Sequence, residues 1–406
     1  MADFALGPWP QGIDGLSPET ALPPGTLRAA HNVFLNRAGE AEVRPGKRRL
    51  QAVANAHSLW VSRATGLALV VVGTQLCRVR VVNGVPVRTV LGVVSGAPMR
   101  YCDLNGWVYC SDGAGLWRTD GAALVAVSLP RPVVTAIAVG GTADLRAGRG
   151  AVSVAAAYRM ASGEEGPLSL LHTVQTRVGG QVAVTLAWPD DDRIAGAVLY
   201  RTPWNGEVLY RADTVAVTDG GAHTLAIGPD AESLGRTVVL HTQPMPAGAW
   251  VRYFRGHLLT ASGAVLRFSR PLRYGVTDPR TDFVQFGSPV RFVEASEAPL
   301  GQPAGVFVGT GEGVFYLGGD RPKDWRLSRR GSGIPVAGSS VLVPANEFGG
   351  ELGDSDVLLP VWWSDQGLGI GLPDGRVLEP HSGQVRLTPP AAGRLVQFNR
   401  RVIFGE

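Results

Sequence analysis

Cysteine, metal-binding motifs and long apolar runs are all scarce in this 406-residue sequence. Three cysteines exclude a disulfide-rich scaffold. The longest apolar run covers residues 67–72, far short of the roughly 20 residues that a membrane-spanning helix needs. The first ten residues lack the basic and apolar segments of a signal peptide. We therefore expect a protein that is made in the cytoplasm and does not insert into a membrane.

Motifs that carry catalysis or bind cofactors are also missing. The seven histidines are dispersed, and no His-Glu-x-x-His or Cys-x-x-Cys pattern indicates zinc. Residues 311–313 and 367–369 begin with Gly-x-Gly but do not complete the dinucleotide-binding fingerprint, and no Gly-x-Ser-x-Gly elbow occurs. We expect no enzyme, no cofactor and no metal. Calcium is conceivable at Asp190, Asp191 and Asp192, but a solvated loop is the favoured interpretation.

Glycine and proline are abundant, with 54 and 29 residues, and no segment shows an apolar period of helical length. This composition is typical of short strands joined by tight turns, so the sequence predicts an all-β protein. A strand–turn–strand unit recurs with a spacing that suits the blades of a β-propeller. The five copies cover residues 67–82, 106–121, 256–269, 304–319 and 360–375.

Each end of the sequence predicts a β-hairpin that has no partner sheet nearby. Residues 32–43 read as two strands around a turn at residues 36–39, and residues 394–406 read as a second hairpin. Because an isolated hairpin is marginal in water, we expect the two to form one shared blade that closes the ring. The C-terminal hairpin would supply its first two strands. The prediction is about six blades, with five or seven left open.

One block interrupts the propeller pattern. Residues 133–230 show alternating strands separated by turns, which is typical of a β-sandwich, and their order resembles a fibronectin type III module. We therefore divide the chain into an extended arm (residues 1–29), a first propeller part (30–132), the inserted sandwich (133–230) and a second propeller part (231–406).

The turn at Asn105-Gly106 predicts the register of a hairpin that contains two of the cysteines. Pairing about this turn sets Cys102 opposite Tyr109 and Cys110 opposite Tyr101. Successive residues of a strand face opposite ways, so the two thiols point to opposite faces of the sheet. We expect buried, unbridged cysteines.

The basic residues are almost all arginines, since lysine occurs only at positions 47 and 323. Arginine binds phosphate in a bidentate manner, and a DNA path or a subunit interface is one interpretation of the clusters. Scattered surface arginines in a GC-rich gene are the other. The clusters show no aromatic interleaving of the kind that stacks bases. The candidate residues are Arg326, Arg329, Arg330, Arg400 and Arg401, with a further cluster at residues 44–49.

A carbohydrate-binding or glycoside-hydrolysing propeller is the alternative from another functional class. Such enzymes place several carboxylates around the central tunnel. Residues 69–73 and 306–310, which we predict as inner strands, are apolar. This composition counts against glycoside hydrolysis.

Several stretches resemble tail proteins of tailed bacteriophages of the nozzle type. They are residues 9–33 with Gly39 and the Arg-Pro-Gly at 44–46, residues 266–275 with 283–286, and residues 306–319. The sequence departs from the family pattern at Asp14, where asparagine is common, and most strongly in the insert.

The resemblance implies a virion structural protein, assembled in the host cytoplasm and located in the tail. Such proteins form a ring, usually of six copies, at the distal end of a short tail through which DNA passes. The expected partners are other copies of the chain, the tail adaptor, fibres or a plug, and the genomic DNA in transit without sequence specificity.

Overall fold

A computed structural model of the chain describes residues 8–30, 33–35, 38–43, 51–140, 148–217, 222–227, 240–296, 304–331, 333–348, 357–380, 383–384, 393–398 and 401–405. Strands and turns make up these residues. Their helical content is confined to three short 3₁₀ helices, at Glu19–Ala21, Pro322–Asp324 and Ala345–Glu347. None of the helices in these ranges is long and apolar enough to cross a membrane. The all-β prediction is confirmed.

The N-terminal arm folds back on itself and then meets a hairpin. Strands β1 (Gly12–Ile13) and β2 (Thr26–Leu27) pair in parallel, and β3 (Val33–Leu35) and β4 (Ala41–Val43) form the predicted antiparallel hairpin. The backbone N–H of Trp9 donates to the Gly39 carbonyl at 2.7 Å. The arm therefore lies against the turn of the hairpin.

Two four-stranded antiparallel sheets follow, each built from strands that are consecutive in the chain. We call them blades 1 and 2. Blade 1 comprises β5 (Ala56–Val61), β6 (Ala68–Val72), β7 (Gln75–Val82) and β8 (Val85–Val93). Blade 2 comprises β9 (Arg100–Leu104), β10 (Trp107–Ser111), β11 (Leu116–Thr119) and β12 (Val125–Ala126).

The insert forms two antiparallel sheets that face one another across their own core. Its strands are β13 (Val133–Gly140), β14 (Gly150–Met160), β15 (Glu165–Leu168), β16 (His172–Thr176), β17 (Gln181–Ala187), β18 (Ile194–Arg201), β19 (Tyr210–Ala216) and β20 (Ala222–Ala226). One sheet has the order β13-β17-β20, and the other has the order β15-β14-β18-β19 with β16 also on β14. The core lies between them and contains Tyr158, Val184 and Leu199. This is the β-sandwich that the alternating pattern predicts.

Three more four-stranded sheets complete the row of blades. Strand β21 (Gln243–Pro244), which precedes blade 3 in the chain, pairs with β25 (Val276–Thr277), which lies between the third and fourth strands of that blade. Blade 3 comprises β22 (Trp250–Phe254), β23 (His257–Ser262), β24 (Val265–Phe268) and β26 (Phe283–Gln285). Blade 4 comprises β27 (Val290–Ser296), β28 (Gly305–Thr310), β29 (Gly313–Gly318) and β30 (Arg326–Arg330). Blade 5 comprises β31 (Val341–Pro344), β32 (Leu358–Ser364), β33 (Gly367–Gly371) and β34 (Val377–Leu378).

The chain ends in the second predicted hairpin, β35 (Arg394–Phe398) with β36 (Arg401–Gly405). Strand β35 lies beside β31 of blade 5, where a sixth blade would begin. Among the ladders of the described residues, the two terminal hairpins remain separate two-stranded sheets. The shared sixth blade therefore stays a prediction. The N-terminal arm contacts the segment between blade 5 and the C-terminal hairpin, because the N–H of Gly15 donates to the Gln384 carbonyl at 3.0 Å.

Apolar side chains pack between the faces of successive blades. Blades 1 and 2 share a core around Leu69 and Tyr101, and blades 2 and 3 share one around Leu104 and Val251. Blades 3, 4 and 5 share a large aromatic core that includes Trp362. Blades 2, 3 and 4 thus bury both faces against their neighbours, as a propeller blade must.

The first strand of each blade lies innermost, because β9, β22 and β27 contact one another in succession. The sequence-based placement of residues 69–73 and 306–310 on inner strands is wrong, since they form β6 and β28, the second strands of their blades. Second strands are covered on both faces, which explains their continuous apolar character. The first strands of blades 3 and 4 carry Arg252 and Glu294.

Candidate functional site

The axis of the propeller holds a buried ion pair between blades 3 and 4. The Arg252 guanidinium on β22 donates to both carboxylate oxygens of Glu294 on β27, at 2.7 and 2.6 Å. The Glu294 side chain is 0% exposed. The third guanidinium nitrogen of Arg252 donates to the Tyr101 carbonyl of blade 2 at 3.0 Å, and Ser340 before blade 5 donates to Glu294 at 2.6 Å. This axial ion pair therefore connects four blades.

The geometry explains how these charges are tolerated in the interior. Burial alone would lower the pKa of Arg252, but the charge and hydrogen bonds of Glu294 outweigh burial and raise it above its ordinary value. A bidentate arginine–carboxylate pair with further hydrogen bonds satisfies the groups that burial strips of water. The arginine remains charged at every physiological pH.

Other polar contacts near the axis also join neighbouring blades. The Arg100 guanidinium of blade 2 lies 4.2 Å from the ring centre of Trp250 in blade 3, within cation–π range. Ser62 at the end of blade 1 donates to Asp103 at 2.5 Å. Arg63 donates to the Leu342 carbonyl of blade 5 at 2.9 Å, so the first and fifth blades approach one another. These polar groups therefore bind other parts of the chain and connect neighbouring blades.

Three of the predicted basic residues lie together on the outer edge of blade 4, at the end of the sheet that is farthest from the axial ion pair. Arg326, Arg329 and Arg330 lie on β30, the outermost strand of blade 4, and all three are exposed. Arg326 and Arg330 are an even number of residues apart and share one face of the strand, while Arg329 lies on the other. The edge of blade 4 therefore presents positive charge on both faces.

The C-terminal members of the predicted set are not brought to this strand by any described contact. Arg401 begins β36 and pairs through its backbone with Phe398. Arg400 lies outside the described residues, as do the basic residues at positions 44–49. A grouping of Arg400 and Arg401 with blade 4 stays a prediction.

The acidic cluster of the insert takes part in an attachment between domains. Arg193 donates to both carboxylate oxygens of Asp191, at 2.8 and 2.6 Å, and to the carbonyls of Ala126 and Ser128 beside blade 2. The hydrogen bond from Arg193 lowers the pKa of Asp191 below its ordinary value. Within the described ranges, no three metal-ligating side chains come together. Asp191 therefore serves to fasten the insert to the propeller.

The cysteines lie as the Asn105-Gly106 turn predicts. Cys102 pairs with Tyr109 and Cys110 with Tyr101, and both thiols are buried and unbridged. Cys110 packs in the core between blades 1 and 2, and Cys102 packs in the core between blades 2 and 3. Burial raises the pKa of the Cys110 thiol above its ordinary value. Cys110 is therefore a protonated, apolar packing group at neutral pH, and Cys102 is likewise buried in an apolar core.

A second set of buried charges shapes the long turn of blade 3. Asp278 and Asp282 are buried beneath Arg270, whose guanidinium lies 3.0 Å from Asp278 and 3.1 Å from Asp282. Arg280 adds two hydrogen bonds to Asp278. Burial would raise the pKa of Asp278, but the hydrogen bonds from Arg280 and the two positive charges lower it overall. The attraction between these two carboxylates and the positively charged arginines holds the turn in place.

Sequence reasoning missed the axial ion pair. The available signal was a charge flanked by apolar residues in each of two strands, at Arg252 in Trp-Val-Arg-Tyr-Phe and at Glu294 in Val-Arg-Phe-Val-Glu-Ala-Ser, which also contains Arg291. Such a residue is almost never buried unless it is paired, so each one implies a partner. The identity of the partner depends on how the blades pack.

Comparisons with known proteins leave the family open. No protein-family model and no curated protein matches the chain. Solved structures that align with it include the dihydro-heme d1 dehydrogenase NirN (12% identity, 78% of this chain and 63% of that chain, TM-score 0.25). Another is Hsv2 of Kluyveromyces lactis, with 12% identity over 77% of this chain and 91% of that chain and a TM-score of 0.20. A third is the N-terminal domain of Nup159, with 12% identity over 87% of this chain and 87% of that chain and a TM-score of 0.22. At these TM-scores the likenesses carry no argument, and the propeller is established by its own five blades.

Proposed function

We propose that this chain is a structural subunit of a tailed-phage virion, forming a ring at the tail through which DNA passes. The proposal rests on the resemblance of the arm and of three propeller segments to nozzle-type tail proteins. The ring, its expected six copies and its contacts with the tail adaptor and with fibres or a plug all belong to this proposal, as does the virion location.

The binding of both Glu294 carboxylate oxygens by other parts of the chain is the structural observation that best supports a structural role. Glu294 is inaccessible to a substrate because Arg252 and Ser340 occupy its oxygens. Asp103, the other carboxylate named at the axis, accepts a hydrogen bond from Ser62. A glycoside hydrolase needs two carboxyl groups that flank a sugar. The described axis therefore favours a scaffold over a saccharide-processing propeller.

The exposed arginines of β30 give this scaffold a surface suited to a polyanion. Guanidinium groups bind phosphates in a bidentate manner, and contact with a passing duplex requires no base readout. Arg326, Arg329 and Arg330 lie on the outer edge of blade 4, away from the axial ion pair. DNA would therefore pass along the outside of each propeller, within the ring.

The test is the composition and shape of the particle that contains the chain. Mass spectrometry of purified virions should find the chain in a stoichiometry of several copies per particle. Negative-stain microscopy of the purified protein should show rings at micromolar concentration. A chain that is absent from virions, or one that hydrolyses saccharides as an isolated monomer, would overturn the proposal.

A further inference from the structure

The outer strand of blade 1 has the most conspicuous exposed apolar edge in the propeller. Among the strands that the structure describes, β8 is terminal in its sheet and pairs with β7 on one side only. Six valines of the β7–β8 ribbon are between 49% and 73% exposed. They are Val81, Val82, Val85, Val87, Val90 and Val93.

This ribbon projects beyond the rest of its blade. The last pair between β6 and β7 joins Ala68 to Val79, whereas β7 and β8 continue to the pair Val82–Val85 at the Asn83-Gly84 turn. The tip is therefore a two-stranded arm without a third strand over the described residues. An isolated two-stranded ribbon is marginal in water, and an open apolar edge is a template for another strand.

The insert carries a second open edge of similar length. Strand β13 pairs with β17 on one side and is terminal in its sheet. Val133 and Val139 are 59% and 50% exposed, and the strand has no charged residue. One chain thus offers two unlike apolar edges, one on blade 1 and one on the sandwich.

We propose that β8 of one copy pairs with β13 of the next copy and so joins neighbouring subunits. The inference rests on the proposed ring, because a contact between two different surfaces of the same chain repeats head to tail and can close a ring. Main-chain hydrogen bonds between the two strands would provide the affinity, and contacts of the exposed valines with the neighbouring copy would provide the specificity.

Charge favours this unlike pairing over contact between two β8 strands. An antiparallel β8–β8 pair centred on Thr89 would set the two Arg88 side chains diagonally across one face, where like charges repel. Strand β13 brings no charge to the same position. The head-to-tail arrangement therefore avoids the repulsion.

The area of these edges indicates a weak contact that ring closure strengthens. A standard interface buries about 800 Å² on each partner, and the largest apolar patch on a monomer is about 300–600 Å². One strand edge lies at the small end of this range. We expect a pair of copies to dissociate readily and a closed ring to persist, because each subunit in a closed ring makes one such contact with each of its two neighbours.

Cysteine cross-linking of the full-length chain tests which strands meet. The three described cysteines are buried, so an introduced surface thiol is distinguishable from them. An equimolar mixture of V87C and A138C proteins should form disulfide-linked dimers under mild oxidation, while each variant alone should form few. Leu171→Cys, at an exposed loop of the insert, is the matched control and should not cross-link with V87C. Equal cross-linking of V87C with itself would overturn the proposal.

Lysine substitution tests whether the same edges hold the assembly together. Sedimentation velocity should show V87K and A138K dissociating at a protein concentration about tenfold or more higher than the parent, with L171K unchanged. Circular dichroism confirms that each variant is folded. Rings that persist in both variants overturn this contact and leave the proposed function standing. Parent protein that is monomeric at every concentration also overturns the contact, and virion mass spectrometry then decides the proposed function separately.

Discussion

The axis and the rim of this propeller differ in which side chains they bury and which they expose. At the axis, Glu294 is buried, the Arg252 side chain is only 14% exposed, and their polar groups are bound by neighbouring blades. At the rim, which we define as the outermost strands of the blades, valines of β8 and arginines of β30 are exposed. Buried ion pairs hold elements in place, whereas exposed apolar edges and free positive charge are suited to partners. Under the proposed function, the centre of the propeller supplies stability and its periphery supplies the contacts for assembly.

The largest expected effect comes from breaking the axial ion pair. Glu294→Ala leaves the Arg252 guanidinium buried without its carboxylate, which should lower the free energy of unfolding by about 3–5 kcal/mol. Urea denaturation monitored by tryptophan fluorescence measures the loss. The matched control is Asp374→Ala at the exposed Arg376–Asp374 pair of blade 5, where about 0–1 kcal/mol is expected. Equal losses for both variants would contradict a special role for the axis.

The double substitution Arg252→Met with Glu294→Leu separates charge from packing. Replacing both partners of a buried pair with apolar residues of similar size is often neutral or stabilising. We expect the double variant to regain most of the stability that Glu294→Ala loses. A double variant as unstable as the single one would mean that hydrogen bonds to Tyr101 and Ser340 matter more than the pair itself.

The next effect concerns the glycines that make room for aromatic rings between the blades. A Cβ added at Gly309 would lie 2.3 Å from Phe292, which stacks on Trp362. Gly309→Ala should therefore overpack this core and cost about 1–3 kcal/mol. Gly140→Ala, where no atom lies within 4 Å of the added Cβ, should change stability by less than about 0.5 kcal/mol. Equal melting temperatures for both variants would contradict the tight packing.

A smaller effect should appear as acid sensitivity at His257 in blade 3. Its Nδ1 donates to the Ser269 carbonyl at 2.7 Å, and burial lowers the pKa of the ring. The unfolded chain, with a histidine pKa of about 6.5, then binds more protons than the folded chain below that pH. Stability should fall as the pH drops from about 6.5 to the folded-state pKa, by at most about 1.4 kcal/mol per pH unit.

The measurement is the pH dependence of the free energy of unfolding for the parent and for His257→Gln. Above about pH 7 the two curves should run parallel, because the parent histidine is then neutral in both states. Below that pH the variant should show the shallower slope. An identical acid slope would mean that other groups govern this range.

The smallest effect on stability is expected at the rim of blade 4. Replacing Arg326, Arg329 and Arg330 with glutamine should change stability by less than about 0.5 kcal/mol per site, because all three are exposed. The triple variant should nevertheless bind duplex DNA less tightly, with the slope of log K against log salt reduced by about 2–3. Arg376→Gln, on the exposed pair of blade 5, is the control. An unchanged slope in the triple variant would remove β30 from the DNA path.

Local chemistry determined which parts of the fold could be predicted. Asn105-Gly106 favours one tight turn, and that turn alone sets Tyr109 opposite Cys102. The five repeated units likewise fall on the second and third strands of the five blades, and the second strands are covered on both faces and read as apolar runs.

Contacts between distant segments were beyond such reasoning. Arg252 and Glu294 are 42 residues apart, and their meeting depends on how two blades pack around the axis. The exposed arginines of β30 were identifiable as a cluster, but whether Arg400 and Arg401 join them depends on the closure of the sixth blade. No turn signal or apolar period specifies either arrangement.

A cryo-EM map of the assembled full-length protein would test most directly whether the rim carries assembly. We predict a closed ring in which β8 of each copy lies beside β13 of its neighbour, the arginines of β30 face the lumen, and side chains fill the axis of every propeller. A ring held by other surfaces with β8 exposed to solvent, or particles that are single propellers, would contradict this prediction.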